Sequence, residues 1–442
     1  MSDGNRAKSS EKSGSGPKSG PVSIRREILA GVTTFVTMSY IVVVNPDILS
    51  ASGMPRQDIF FATCAASAAA TIVMALWARY PFALAPGMGL NAFFAFTVCG
   101  EMGIPWSTAL AGVLLSGVVF AVLSLFGLRE RLIATVPKTL VRAVTAGIGL
   151  FIAFIGLQKA GLVVDDEATL VALGDLGSPA VIAAAGGLVI TVALLAAKLP
   201  GAILIGIAAT WLLAAALGAA GAPEGLAACP SLPSETLGAA VFGLSDLLRP
   251  EMITVVFTML FLDLFDTMGT LMGLGYTSGY LREDGSLPRA RRAFFSDSVG
   301  TMVGSLLGTS TVTTYIESAT GVVAGGRSGL TALVVAALFL LALPFYPLIE
   351  AVPSFATAPA LFGVGALMFR AAADIDWKDA AEAIPALGAI LAMPATYNIS
   401  NGLGIGFILF AVTQLATRRR VGAPVYVIAV LFLGYFAMDA LG

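Results

Sequence analysis

Four acids stand where acids are costly. Asp263, Asp266, Asp297 and Glu317 fall inside segments otherwise apolar enough to cross a bilayer. A carboxylate at the centre of a membrane helix costs roughly 2.5–3.5 kcal/mol on insertion scales, so each is read first as a functional group. Asp263 and Asp266, in FLDLFDTMGTL at 261–271, are three residues apart on one predicted helix and therefore share a face. Two acids that close in a medium of low dielectric are not expected to be ionised together, which makes the pair a candidate proton carrier. Glu317 lies in GTSTVTTYIESATG at 308–321, where β-branched residues favour extended backbone and hydroxyls compete for backbone hydrogen bonds. Non-helical backbone at membrane depth is tolerated only where protein buries it or where it lines a cavity. The run is therefore expected to form half of a binding site, with Thr314 and Ser318 beside the acid. The other half is expected in PFALAPGMGLNAFF at 81–94, where Gly87 and Gly89 let backbone approach a ligand and Asn91 offers an amide.

A planar, polar, neutral ligand suits this mixture. The carboxylates would accept from ring N–H and amino groups, while an amide and backbone N–H groups donate to ring nitrogens or a carbonyl. A ligand with fixed negative charge would be repelled. A buried acid can instead serve structure by pairing with a base, but no Lys or Arg lies in the middle of any span. Asp297, five residues after Arg292 and near one end of its span, is expected to gate or to anchor a loop rather than to bind. The chain has no histidine, so a proton moving near neutral pH must ride on a carboxylate or on water. Its three cysteines, Cys64, Cys99 and Cys229, are scattered without metal-ligand spacing, and neither a metal, a cofactor nor a disulfide framework is expected. An intramembrane aspartyl protease would need two acids from facing helices around one water, whereas Asp263 and Asp266 share a helix. No enzyme is predicted.

The elements that must position these groups follow from composition. The 442 residues are 57% apolar and 12% charged, with a mean hydropathy of +0.90, which describes an all-α polytopic membrane protein rather than a soluble one. Spans are predicted at 28–45, 58–78, 83–99, 107–126, 140–160, 179–197, 201–219, 251–274, 293–308, 309–323, 328–348, 353–370, 380–397 and 401–417. Spans 3 and 10 are the short, polar-interrupted ones, each expected to be an extended strand followed by a half-helix. With the N-terminus in the cytoplasm, this map leaves only Arg56, Lys159 and Arg249 of the 25 Lys and Arg on the opposite side. Residues 1–22 are expected to form a disordered basic tail, and 424–440 either a further span or an interfacial helix. Repeat boundaries are set at 23–220 and 250–420, with 421–442 as a C-terminal apolar segment. Seven spans in each half, an odd number, require the second copy to be inverted, and paired broken segments in inverted repeats mark a secondary transporter with its site near the midplane.

At these residues the chain resembles the AzgA-like purine permeases, the hypoxanthine/guanine/adenine branch of the nucleobase:cation symporter group, related in fold to the uracil and xanthine transporters. The motifs are EILAGVTTFVTMSYIVVVNPDILS at 27–50, ALAPGMGLNAFFAFTV at 83–98, FLDLFDTMGTL, GTSTVTTYIESATGVVAGGRSGLTAL at 308–333 and VPSFATAPAL from 352. The resemblance implies a core domain of spans 1–4 and 8–11 (about 24–126 and 250–348) and a gate domain of spans 5–7 and 12–14 (about 138–220 and 352–417). It implies a homodimer in which the core moves like an elevator against the gate. It also implies that Asn91, Asp263 and Glu317 contact a purine nucleobase, that Gly89 supports Asn91, and that Asp266 and Glu317 couple transport to a proton. The expected function is proton-coupled import of adenine, hypoxanthine or guanine across a bacterial cytoplasmic membrane, with no nucleic-acid partner. Sodium is the alternative coupling ion. An anion exchanger of this architecture would need a positive site, and a purine-binding membrane sensor would hold the base without moving it.

Overall fold

A computed structural model describes residues 23–126, 136–282 and 286–441, and the tail expected at 1–22 lies outside them. The first span is broken at Ser39–Tyr40, between helices Ile24–Met38 and Ile41–Leu49, the second of which contains Pro46. Arg56–Val73 follows and widens into a π-helical turn at Met74–Ala78. Strand β1 (Leu84–Pro86) leads into the short helix Met88–Ala92, which continues π-wound to Glu101, a geometry found mostly at functional positions. Helices Trp106–Phe126, Lys138–Lys159, Pro179–Ala196 and Ala202–Ala216 complete the first half.

The second half opens with the long helix Pro250–Ser278 and then Ala290–Leu307, which ends at Gly308 in the left-handed region (φ 105°). A side chain at Gly308 would also collide with Thr236. The strand of the second broken segment (Val312–Thr314) precedes the six-residue helix Ser318–Val323, followed by Gly329–Ala342, Ala358–Phe369, Ala380–Ala395 and Ile399–Ala416. The 424–440 stretch is a helix, Ala423–Leu441, packed along Ile399–Ala416.

The mostly helical architecture with strand-then-half-helix breaks at spans 3 and 10 is the one expected. Among the described residues, nine helices are long and apolar enough to cross a bilayer. The expected spans at 83–99 and 309–323 are broken, 202–216 and 380–395 are shorter, and 290–307 carries Arg291, Arg292 and Asp297. Two elements went unforeseen. The acidic loop at 161–178 folds into an antiparallel pair, β2 (Val163–Asp166) with β3 (Leu170–Leu173), whose turn is fixed by Asp166 Oδ1 accepting from Ala168 N, Thr169 N and Thr169 Oγ1. The 219–250 loop carries helical turns from Ala239 to Leu248.

The helices pack into two groups. Ile24–Met38, Arg56–Val73, Trp106–Phe126, Ala290–Leu307 and Gly329–Ala342 contact one another, and Pro250–Ser278 joins them against Trp106–Phe126. Lys138–Lys159, Pro179–Ala196, Ala202–Ala216, Ala358–Phe369, Ala380–Ala395 and Ile399–Ala416 form the other group. Without a hydrophobic drive between helices in lipid, close packing depends on small residues. The pair Lys138–Lys159 and Ala358–Phe369 shows it, because a Cβ on Gly365 would stand 2.4 Å from the Gly149 carbonyl oxygen. A backbone oxygen cannot swing aside as a side chain can, so Gly365→Ala is expected to cost about 1–3 kcal/mol. Gly434→Ala, with nothing within 4 Å of the new Cβ, is the neutral control. Thermal midpoints of the two variants in detergent check this.

Candidate functional site

The two broken segments meet. Strand β1 and the 312–314 strand, now β4, pair antiparallel, with Leu84 opposite Thr314, Ala85 opposite Thr313 and Pro86 opposite Val312. The pairing is extended at both ends by Gly87 N donating to Thr311 O at 3.0 Å and Tyr315 N donating to Ala83 O at 2.9 Å. Side chains satisfy what the ladder leaves over. Ala83 N donates to Ser318 Oγ and Leu84 N to Thr71 Oγ1, each at 3.0 Å.

Beside this ribbon lies a cavity of about 340 Å³. One wall is the ribbon and its flanks, with Gly87, Gly89, Thr313, Thr314, Tyr315 and Glu317; Tyr40 enters from the break in the first span, and Phe265 and Asp266 from the helix Pro250–Ser278. The opposite wall belongs to the second helix group, with Thr145, Val364, Leu367 and Met368. The cavity therefore lies in the seam between the two groups. At that seam Gly89 is tight, since a Cβ there would stand 2.8 Å from Ile148 Cγ2. Gly269 and Ile316, both exposed, sit at the cavity's edge.

Each carboxylate at the wall is held by a hydroxyl. Tyr40 OH donates to Glu317 Oε1 at 2.7 Å, and Thr313 Oγ1 to Asp266 Oδ2 at 3.2 Å. Tyr315 OH donates to Pro86 O at 2.5 Å and so ties the second broken segment to the first. These donors are neutral, so they orient the acids without cancelling their charge, and no Lys or Arg among the described residues lines the cavity.

Of the residues singled out from sequence, the structure brings Gly89, Asp266, Thr314 and Glu317 to the wall and sets Asn91, Asp263 and Ser318 one layer behind it. Asp263 and Asp266 do not share the cavity face, because three residues of helix rotate a side chain by about 300° and leave the pair roughly 60° apart. That angle is enough to put them on two sides of a seam. Asp263 instead accepts at Oδ1 from Thr267 Oγ1 (3.2 Å), and the same hydroxyl reaches Asp297. Thr267 therefore bridges the two acids, with a single hydroxyl proton between them. Asp297 is buried rather than placed at a surface loop, and its Oδ1 accepts from Thr314 Oγ1 at 2.8 Å, which fixes β4 from behind. Asn91 is fully buried, its side-chain oxygen accepting from Ser310 Oγ while its Nδ2 has no hydrogen-bond partner among the described residues. Sequence reading missed Tyr40, Thr145, Phe265, Tyr315 and Met368 as cavity residues. Only Tyr315 carried a signal, its place two residues before Glu317 in the broken run.

Comparison with known proteins puts a family beside this geometry. A model of the permease family of xanthine and uracil type ("Permease family") matches residues 25–405. The chain is 45% identical over 417 residues to the guanine/hypoxanthine permease PbuO of Bacillus subtilis, covering 93% of this chain and 96% of that one. It is 40% identical over 415 residues to the adenine permease AdeQ of Escherichia coli, covering 93% and 92%. Among solved structures, the transmembrane domain of the cyanobacterial bicarbonate transporter BicA superposes with a TM-score of 0.64 at 16% identity, over 90% of this chain and 98% of that one, a likeness of fold.

The layer behind the cavity is testable without a ligand. Ser310→Ala removes the donor to Asn91 and leaves the amide buried with neither end bonded, a cost of about 1–3 kcal/mol. Adding Asn91→Ala is expected to cost less than the sum of the two single changes, which a double-mutant cycle on thermal midpoints measures.

Proposed function

The chain belongs to this permease family and is a transporter rather than an enzyme, and on that premise we propose that it imports purine nucleobases together with a proton. The observation that carries the reading is the cavity in the seam, walled by Asp266 and Glu317 with no basic residue facing them among the described residues. A purine is flat and neutral, and its ring N–H and amino groups are donors in need of acceptors. Glu317 and Asp266 are assigned the direct contacts, with one carboxylate oxygen of each bonded to a hydroxyl and the other turned to the cargo. Gly89 and Thr314 shape the pocket, while Phe265 and Met368 supply apolar faces for the ring. Asn91, Asp263 and Ser318 hold these groups from behind, and Asp297 holds the strand. The named cargoes of the bacterial relatives, guanine, hypoxanthine and adenine, agree with a purine ring as the common feature.

Proton coupling is argued from the same pair. Two carboxylates around one neutral cargo repel each other, and a single proton shared by Asp266 and Glu317 relieves that repulsion as cargo and proton enter together. The two helix groups are assigned as core (about 24–126 and 250–348) and gate (about 138–220 and 352–417), with transport as movement of one against the other in a homodimer of the cytoplasmic membrane. The cavity's rim lies toward the helix ends that precede Arg282 and follow into Arg370, the side predicted to be cytoplasmic. At the other end the groups are tied together. Asp47 Oδ2, buried, forms an ion pair with the half-buried Lys159 Nζ and accepts from Thr357 Oγ1 at 2.7 Å, and Arg56 Nη2 donates to Val352 O at 3.1 Å. The state described is thus assigned as open inward and sealed outward.

Two measurements test this. In a strain without purine uptake, labelled adenine, hypoxanthine or guanine should accumulate saturably, and a protonophore should abolish it; no uptake of any of them at any pH overturns the transport reading, and protonophore-insensitive uptake that requires sodium overturns the proton. Glu317→Gln, which keeps size and removes the acid, should weaken apparent affinity roughly 10–100-fold, the worth of a hydrogen bond to a charged group. For the seal, Met368→Cys in a cysteine-free background should react with an impermeant maleimide from outside severalfold faster when Lys159→Met is added. An unchanged rate would show that the ion pair does not close the outer side.

A further inference from the structure

A second cleft, about 1000 Å³ and larger than the first, lies away from the seam, between the helices Arg56–Val73 with its π-turn, Trp106–Phe126 and Ala290–Leu307. Its walls are apolar, with Val73, Leu125, Leu287, Phe295 and Val299, and its rim holds Trp77, Arg289, Arg291 and Arg292; no acid lines it among the described residues. The three arginines are exposed, and none pairs with a carboxylate among the described residues. Arg289 lies over the Tyr80 ring at 4.5 Å and Arg292 over the Trp77 ring at 5.8 Å, contacts that place the guanidinium groups without neutralising them. Arg291 is committed to helix ends, donating to Ser124 O and Leu125 O. The cluster also sits at the N-terminus of the 18-residue helix Ala290–Leu307, whose dipole adds positive potential at the same point.

Surrounding side chains show what faces this cleft. Leu76, Trp77 and Leu125 are 63%, 57% and 55% exposed, which in a membrane-spanning chain means contact with lipid. A groove with apolar walls on the bilayer side and, beside an exposed Trp at its end, arginines that meet no carboxylate among the described residues has the two-part character of one class of molecule. We propose that this cleft binds an anionic phospholipid, its phosphodiester held by Arg289 and Arg292 and an acyl chain laid along Val73, Phe295 and Val299. A zwitterionic lipid would bring its own cation to the arginines and bind less well. All three helices belong to the group assigned as the core, so the lipid would ride on that group rather than bridge the seam.

The test uses the full chain in nanodiscs of phosphatidylcholine with and without phosphatidylglycerol, reading retained lipid by native mass spectrometry and the thermal midpoint in parallel. Wild-type protein should retain phosphatidylglycerol selectively and melt higher in its presence. The variant R289Q/R292Q, which leaves Arg291 on its helix ends, should hold it roughly thirtyfold more weakly, at about a fivefold loss per arginine. Equal retention of the two lipids by the wild type, or undiminished retention by the variant, overturns the proposal. Should inorganic phosphate raise the midpoint as much as phosphatidylglycerol does, the site takes a free anion and the lipid assignment fails. If the double variant does not fold, the wild-type comparison and R292Q alone still decide.

Discussion

Everything at the centre of this chain depends on keeping backbone hydrogen bonds satisfied where the bilayer offers no water. Breaking two spans at the same depth frees N–H and C=O groups, each costing several kcal/mol if left alone. The solution is mutual. β1 and β4, separated by more than half the chain, pair only with each other, and the bonds Gly87 N to Thr311 O and Tyr315 N to Ala83 O close the ladder beyond its strands. Pro86 has no N–H to lose, and Ser318 and Thr71 accept the N–H groups of Ala83 and Leu84. The Thr-rich composition of 308–321 follows from this demand, since short hydroxyl side chains can bond backbone and carboxylates without filling the space that a cargo needs.

The acids fall into two populations with different electrostatics. Glu27, Asp47 and Asp58 are buried near span ends and anchor structure: Glu27 accepts from Arg327 N, Ser328 N and Thr331, Asp58 from Glu235 N, and Asp47 pairs with Lys159. The central set is bonded to hydroxyls instead. Tyr40, Thr313, Thr314 and Thr267 serve Glu317, Asp266, Asp297 and Asp263. A hydroxyl can donate to a carboxylate or accept from a carboxylic acid, so these contacts tolerate either protonation state, whereas a salt bridge would hold the charged one. The proton coupling proposed for this site would need that tolerance.

Much of this was legible because it violates the rules of a lipid-facing helix. Acids, glycines and a Thr-rich run in apolar surroundings stand out by composition, and so did both breaks and the cavity-lining acids Asp266 and Glu317. The remainder was hidden for physical reasons. Thr145, Val364 and Met368 are ordinary residues of ordinary spans, and only the approach of the second helix group makes them a cavity wall. Tyr40 reads as one more aromatic in a span until the break at Ser39–Tyr40 turns it inward. The spacing of Asp263 and Asp266 placed them on one side of a helix, but a helix wedged into a seam divides that side between a cavity and a packed interior. β2 and β3 went unforeseen because two short strands joined by an Asp-fixed turn look, by composition, like any polar loop.

The seam is built unequally along its length, and that inequality bears on how the two groups could move. Within the second group, Gly149 and Gly365 bring backbones into direct contact, which makes that group rigid. Across the seam, by contrast, the close approach at Gly89 is to the side chain of Ile148, and the cavity wall opposite is Val, Leu and Met. Apolar side chains slide over one another with little penalty, because no directional bond is lost. Directional contacts between the groups include those at one end, where Asp47 meets Lys159 and Thr357 and Arg56 meets Val352 O, and the buried Ser400 Oγ–Thr258 Oγ1 bond at 3.2 Å. Removing Lys159 would leave the buried Asp47 carboxylate without its cation, so this end holds a latch of a kind the apolar cavity wall lacks. A smooth middle with a latched end suits the proposed movement of one helix group against the other, because the cargo-bearing group could shift as a unit without opening both sides at once.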